Sequence, residues 1–231
     1  MELNELLSRM ALELHEAETP EATGDTISQY ACEAVGADQA GIMIVRGKGD
    51  VETPAGTAPI VDDAHQLQAK LDEGPCLDTV RGGNETHLVN DTASDERWPI
   101  WGPQAAEMGF LSTIGAAMET RSRRVGSLNV YARRKDAFTE RDVEIVKWLA
   151  THASVALAAA NERAGLRIAL TSRTVIGQAE GILMHAFGID ENQAFAYMQR
   201  LSQDGNEKLV SIAKRIIEGR DRISEGGAAE L

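Results

Sequence analysis

The sequence predicts an α+β sandwich, then one long helix, then a small bundle of three helices. Three observations predict it. Short strand-like runs at 40–45, 51–58, 87–89, 112–119 and 124–132 alternate with helical segments. The last proline is Pro103, and a helical pattern runs from Thr139 to about Phe187 with only Gly165, Gly177 and Gly181 as weak points. Beyond Gly188, two further amphipathic segments follow, each with its own start and stop signals.

Taken in order, Leu3, Leu6, Leu7, Met10 and Leu14 recur at helical spacing, which makes 3–17 an amphipathic helix. Thr19-Pro20 interrupts, and Ala22, Ile27, Tyr30, Ala31 and Val35 mark a second helix over 21–35 that stops at Gly36. Residues 40–45 form an apolar run bounded by Gly47 and Gly49, a buried strand and turn, with 51–58 returning as its partner. A short helix at 64–71 runs into the turn Asp72-Glu73-Gly74-Pro75-Cys76, and a helical turn follows at 77–80. Residues 87–89 are a brief strand, 90–101 a polar and aromatic loop, and 104–109 helical. Strands at 112–119 and 124–132 are joined by Thr120-Arg121-Ser122-Arg123.

Thr139, with Asp142 three residues on, caps the long helix. Such a helix would span roughly 70 Å at ~1.5 Å per residue, more than one small domain buries. Leu166, Ala169, Arg173, Ile176, Glu180 and Leu183 follow steps of three and four, close to a heptad seam. A parallel two-chain coiled coil would bury that seam, as would packing inside one chain with a kink at Gly165. Asp190 with Gln193 opens the next helix, whose apolar face is Ala194, Phe195, Met198 and Leu201. After Asp204-Gly205, Asn206 is expected to cap a last helix through Glu218 with Leu209, Ile212, Ala213 and Ile216 inward. The domains are thus 1–160, the connecting helix 139–187, the bundle 166–220, and a tail at 221–231 expected to be disordered.

The formal charge of −13 is uneven: residues 1–159 hold 14 Lys/Arg against 26 Asp/Glu, residues 160–231 hold 9 against 10. The first part would repel a polyanion. The second is near neutral and lacks the cationic excess of most nucleic-acid modules, so charge alone does not point to RNA. Cys32 and Cys76 make no CxxC pair and no zinc spacing, which fits a reducing cytoplasm and no metal site. The N-terminus shows no basic and apolar leader, and the most apolar stretch, 143–160, carries Lys147 and His152, so neither secretion nor membrane insertion is expected.

The run Arg173-Thr-Val-Ile-Gly-Gln-Ala-Glu-Gly-Ile-Leu-Met184, then Ala194-Phe-Ala-Tyr-Met-Gln-Arg-Leu-Ser202, then Asn206-Glu-Lys-Leu-Val-Ser-Ile-Ala213 resembles the ANTAR domain. That resemblance implies binding to hairpins in nascent mRNA and prevention of transcription termination. Val125-Gly-Ser-Leu-Asn-Val-Tyr131, Phe138-Thr139 with Asp142, and Glu73-Gly-Pro-Cys76 together resemble a GAF domain, the last being a turn found in GAF domains fused to ANTAR domains. The fold class is therefore a GAF-type α+β sandwich, a long signalling helix and a three-helix ANTAR bundle.

The resemblance implies a small-molecule or redox signal at the GAF domain. With residues 90–101 as a lid, Trp98 and Trp101 are either walls of a ligand pocket or a roof over the core. Cys76 is either a redox sensor in a turn or a small buried hydrophobe; His87 and Asp91 are close in sequence, which is not geometry. No cyclic-nucleotide motif, bilin-holding Cys-His doublet, phosphate loop or HExxH occurs, and the cofactor is unknown. Catalysis is not expected, although some GAF-fold enzymes reduce free methionine sulfoxide with clustered cysteines.

RNA contact needs cations and donors on one solvent face. Arg173, Gln178, Gln199, Arg200, Lys208, Lys214 and Arg215 are the candidates, with Tyr197 able to stack on a base or to pack at the core edge. Each cation can equally be a solvated surface charge. Glu180 and Gln199 stand where the family often carries lysine and arginine, which weakens the electrostatic drive. The implied mechanism is a homodimer in which the long helix relays the GAF signal to two ANTAR bundles gripping paired leader-transcript hairpins. Two alternatives are a dimeric sensor whose output helices dock a protein partner and a thiol redox enzyme centred on Cys76.

Overall fold

The computed structural model describes residues 3–46, 50–82, 86–120 and 124–219. The expected turn glycines Gly47 and Gly49, most of the 120–123 connection and the 221–231 tail lie outside them. The chain divides into two compact units, 1–162 and 163–231.

In the first unit the order is α1 (Leu3–Glu16), α2 (Pro20–Val35), β1 (Gln39–Arg46), β2 (Asp50–Gly56), α3 (Pro59–Leu71), α4 (Pro75–Gly82), β3 (His87–Val89), α5 (Trp101–Glu107), β4 (Ser112–Glu119), β5 (Arg124–Ala132) and the start of α6 (Glu140–Phe187). Thr19 caps α2 by accepting from the Ala22 N–H, Pro20 occupies the first helical turn where it loses no bond, and Gly36 ends the helix at φ 63°. Helix α3 begins five residues earlier than the apolar pattern indicates, at Pro59. Helix α5 begins at Trp101 rather than 104, because the Glu73 carboxylate accepts from its first backbone N–H groups. That long-range cap is invisible to local periodicity.

The sheet is antiparallel throughout, in the order β2-β1-β5-β4-β3. Strand alternation sorts its two faces. Ala40 and Ile42 of β1, Ile114, Ala116 and Met118 of β4, and Leu128, Val130 and Ala132 of β5 pack against Ile27, Tyr30 and Ala31 of α2 and Val146, Leu149, Ala150, Ala153 and Leu157 of α6. This is the main core. Met43 and Tyr131 project to the other face, toward Val61 and Ala64 of α3 and Cys76 of α4. Thr139 and Asp142 bond reciprocally at the start of α6: the Thr139 N–H donates to Asp142 Oδ2 at 2.8 Å and the Asp142 N–H to Thr139 Oγ1 at 3.4 Å. The aspartate does the work of a capping-box glutamate.

Helix α6 runs unbroken through Gly165, Gly177 and Gly181 to Phe187. By length and composition it could cross a bilayer, and 44% of its most apolar stretch is buried in the protein. In the second unit its C-terminal part packs with α7 (Glu191–Asp204) and α8 (Leu209–Glu218) around Ala179, Leu183, Ala194, Met198, Ile212, Ala213 and Ile216. Asp190 and Gln193 form a complete capping box for α7. The last helix starts later than expected: Lys208, not Asn206, is its N-cap, and Asn206 instead turns the chain at φ 48°. A close helix crossing would explain a mid-helix glycine at Gly181, but none occurs there. The glycine is exposed, and a Cβ there would meet nothing within 4 Å; Ala179, fully buried, is the residue whose smallness the bundle uses. The predicted seam divides. Leu183 is buried within its own bundle and Ile176 packs against it, whereas Leu166, Ala169 and Arg173 are exposed.

Candidate functional site

The Glu73-Gly74-Pro75-Cys76 turn organises the first unit. Gln68, fully buried at the end of α3, accepts through Oε1 from the N–H groups of Cys76 at 2.9 Å and Leu77 at 3.2 Å, so one side chain caps α4. Gly74 adopts φ 143°, and a Cβ there would strike the Gln68 amide, which requires glycine on two counts. Glu73 turns the other way to cap α5. The turn therefore ties α3, α4 and α5 together.

Beneath it lies a buried polar layer. Ser127, Asn129 and Tyr131 alternate onto the α3/α4 face of β5 and are fully buried. Gly41 and Gly115 flank Asn129 on the neighbouring strands; a Cβ at Gly41 would strike Val61, and one at Gly115 would sit 3.3 Å from Asn129 Oδ1, so the layer is closely packed around the amide. Asn129 Nδ2 donates to His65 Nε2 at 3.1 Å, which assigns the ring proton to Nδ1, facing Thr53 Oγ1 at 2.8 Å. Burial drives the His65 pKa down to about 3, so the ring is neutral. Three buried polar atoms here lack a partner among the described residues: Gln68 Nε2, Ser127 Oγ and Asn129 Oδ1. Native interiors hold few such atoms, and a set of donors and acceptors on one layer is suited to a small polar molecule or water.

Cys76 belongs to this layer. It is fully buried, its Sγ is 3.3 Å from Tyr131 Oη, and burial raises its thiol pKa to about 11. The thiol is protonated at neutral pH and has the character of a small buried hydrophobe. Cys32 is half-buried and likewise raised to about 11 by burial. His87 and Asp91 do not join Cys76: His87 packs edge-on to Trp98 at 5.3 Å, and Asp91 pairs with Lys135 at 2.6 Å.

Trp98 and Trp101 stack edge-to-face at 6.2 Å and close a cluster with Val89, Ala105, Leu67 and Leu71. Both are buried; Trp98 Nε1 donates to Asp78 Oδ2 at 2.7 Å, and the Arg97 guanidinium lies 4.4 Å over the Trp98 ring. The pair roofs the core over α3 and α4. An open groove of about 690 Å³ lies separately along β2 and α3, lined by Asp50, Asp63, Gln66 and Lys70 among others. Among the described residues no group of three His, Cys, Asp or Glu could hold a metal.

In the second unit, Arg173, Gln178, Gln199, Arg200, Lys208, Lys214 and Arg215 are all exposed. Arg215 is engaged with Glu207 at 3.1 Å. Glu180 is half-buried, and burial together with the Glu191 charge raises its carboxyl pKa. Tyr197 is half-buried, its ring 6.3 Å from that of Phe187. Phe187, Ile189, Gln193, Ala196, Tyr197 and Arg200 line an open groove of about 370 Å³ at the α6–α7 corner.

The GAF domain family matches residues 17–158, more than half the chain, and the ANTAR domain family matches 164–217. The chain belongs to the GAF domain family and carries a C-terminal ANTAR domain. Among solved structures, the GAF domain of a phosphoenolpyruvate-protein phosphotransferase from Coxiella burnetii is similar at TM-score 0.55 and 17% identity, covering 70% of this chain and 95% of that one. The corresponding Acinetobacter domain gives 0.54 and 16%, covering 70% and 96%. A free methionine-R-sulfoxide reductase from Neisseria meningitidis gives 0.51 and 16%, covering 69% and 90%. At these identities the likeness is one of fold. A search of curated proteins finds no match.

The GAF/ANTAR architecture is that of a sensor-regulated protein. Sequence reasoning missed its buried polar layer, His65, Gln68, Ser127 and Asn129, and the half-buried Thr53 beside it. The signal was present as polar residues at every inward position of 127–131, in a strand whose other face is apolar.

Proposed function

We propose that this protein is a cytoplasmic, homodimeric transcription antitermination regulator whose ANTAR domain binds hairpins in nascent mRNA under control of a small polar molecule sensed by the GAF domain. The single observation that carries the reading is the ANTAR match on a complete three-helix bundle whose Arg173, Arg200, Lys208 and Lys214 are exposed and carry no ion pair among the described residues. These cations break no ion pair in turning to a phosphate, whereas Arg215 would first leave Glu207. The unpartnered atoms of Gln68, Ser127 and Asn129 favour a hydrogen-bonding ligand as the signal. The buried, protonated Cys76 thiol does not favour a redox one. To act as a switch, the ligand must bind two GAF arrangements with different affinity.

A second reading, a bundle that docks a protein partner, draws support from Glu180, which places a carboxylate beside Glu191. Binding of the 231-residue chain to tandem stem–loop RNA across a salt series separates the two. The RNA reading expects log K to fall with log salt at about 0.7–0.9 per neutralised phosphate. Salt-independent or undetectable binding refutes it and leaves the protein-docking reading.

A further inference from the structure

We propose that the groove at the α6–α7 corner of the ANTAR domain holds one unstacked base of an RNA loop, with the adjoining phosphate at Arg200. This rests on the RNA reading above and adds the site at which sequence would be read. The groove is about 370 Å³, within the ~300–1,000 Å³ range of small-molecule sites. Phe187 and Tyr197 pack on each other, ring centroids 6.3 Å apart and planes inclined at 48°, so their outward faces form its aromatic walls, and Ile189 and Ala196 complete an apolar lining. A flat π-system suits such walls better than an extended aliphatic chain.

The polar groups set the occupant further. Gln193 Oε1 is committed to the Asp190 N–H in the capping box. Its Nε2 is therefore left as a donor on a side chain whose orientation the helix cap fixes, matched to the acceptor edge of a base. Arg200 is exposed at the groove and has no ion pair among the described residues, and no carboxylate lines it. Flat, acceptor-bearing and tied to a negative charge describes a nucleotide. A paired base cannot enter, so the occupant comes from a loop.

The test uses the 231-residue chain and a pool of RNA stem–loops with a common stem and randomised loop. Bound members are selected, and each loop position is then made abasic in turn. Tyr197→Ala should weaken binding of the selected RNA roughly 5- to 100-fold, and Tyr197→Phe should retain it. Against the RNA lacking one particular loop base, Tyr197→Ala should cost almost nothing. Lys214→Ala should weaken intact and abasic RNA alike. Should Tyr197→Ala fail to fold, Ala196→Leu fills the groove from an exposed helix position at unchanged charge and should show the same coupling. If every abasic RNA suffers the same loss from either groove variant, or none, the assignment is overturned while RNA binding stands, and the groove passes to a protein partner. If the wild-type chain retains no RNA from the pool at any salt, both this assignment and the function proposed above fall.

Discussion

His65 shows how a single residue couples the interior of the GAF domain to pH. It is fully buried, accepts from Asn129 and faces Thr53, and its pKa is driven down to about 3 against an ordinary value near 6.5. The sign follows from proton counting. Above pH 6.5 the ring is neutral in both folded and unfolded chains and contributes no pH dependence. As pH falls from 6.5 toward 3, the unfolded chain takes up a proton that the folded chain refuses, so stability is lost, by up to about 1.4 kcal/mol per pH unit. Urea unfolding of wild type and His65→Gln between pH 7 and 5 should show the wild type losing stability more steeply. Equal slopes would mean that the ring is reached by solvent. Sequence alone shows His65 only as one polar residue in a short helix. Its role is decided by β5, 64 residues away, because hydrogen-bond partners across a fold leave no local pattern.

At the scale of elements, the legible parts were those fixed by near neighbours. The β4 and β5 boundaries match the alternating pattern, and Asp190 with Gln193 marks the start of α7. Elements whose ends are held from a distance were misjudged. Helix α5 starts at Trp101 because Glu73 caps it, and α8 starts after Lys208 because Asn206 takes a left-handed turn conformation. Burial, and then the charge of Glu191 at the start of α7, raises the Glu180 carboxyl pKa. Glu180→Lys removes that repulsion and adds a cation to the ANTAR domain. It should tighten hairpin RNA and steepen the salt slope by about one phosphate contact, as titrations at two or more salt concentrations would record. An unchanged slope would place Glu180 away from the RNA.

For the whole molecule, the question is what covers α6. In the first unit it leaves Trp148 and Val155 exposed at 41% and 62%; in the second, Leu166 and Leu170 are exposed at 59% and 68%. Apolar residues four apart on a helix share a face, and a second copy of the helix would bury them. The proposed dimer requires that the wild type sediment as a dimer and that a Leu166→Glu/Leu170→Glu chain, with each unit still folded, sediment as a monomer at the same concentration. A dimeric variant would send the dimer contact elsewhere.

By itself the sequence determined the fold class and the presence of both a GAF and an ANTAR domain, because periodicity, caps and motif residues act over a few positions. Only the tertiary structure decided that Cys76 is sealed and protonated, that Trp98 and Trp101 are buried against a core, and that Gln68, Ser127 and Asn129 hold polar atoms without a partner among the described residues. The reason is physical. Burial and hydrogen-bond satisfaction belong to the packed whole, and residues remote along the chain set them.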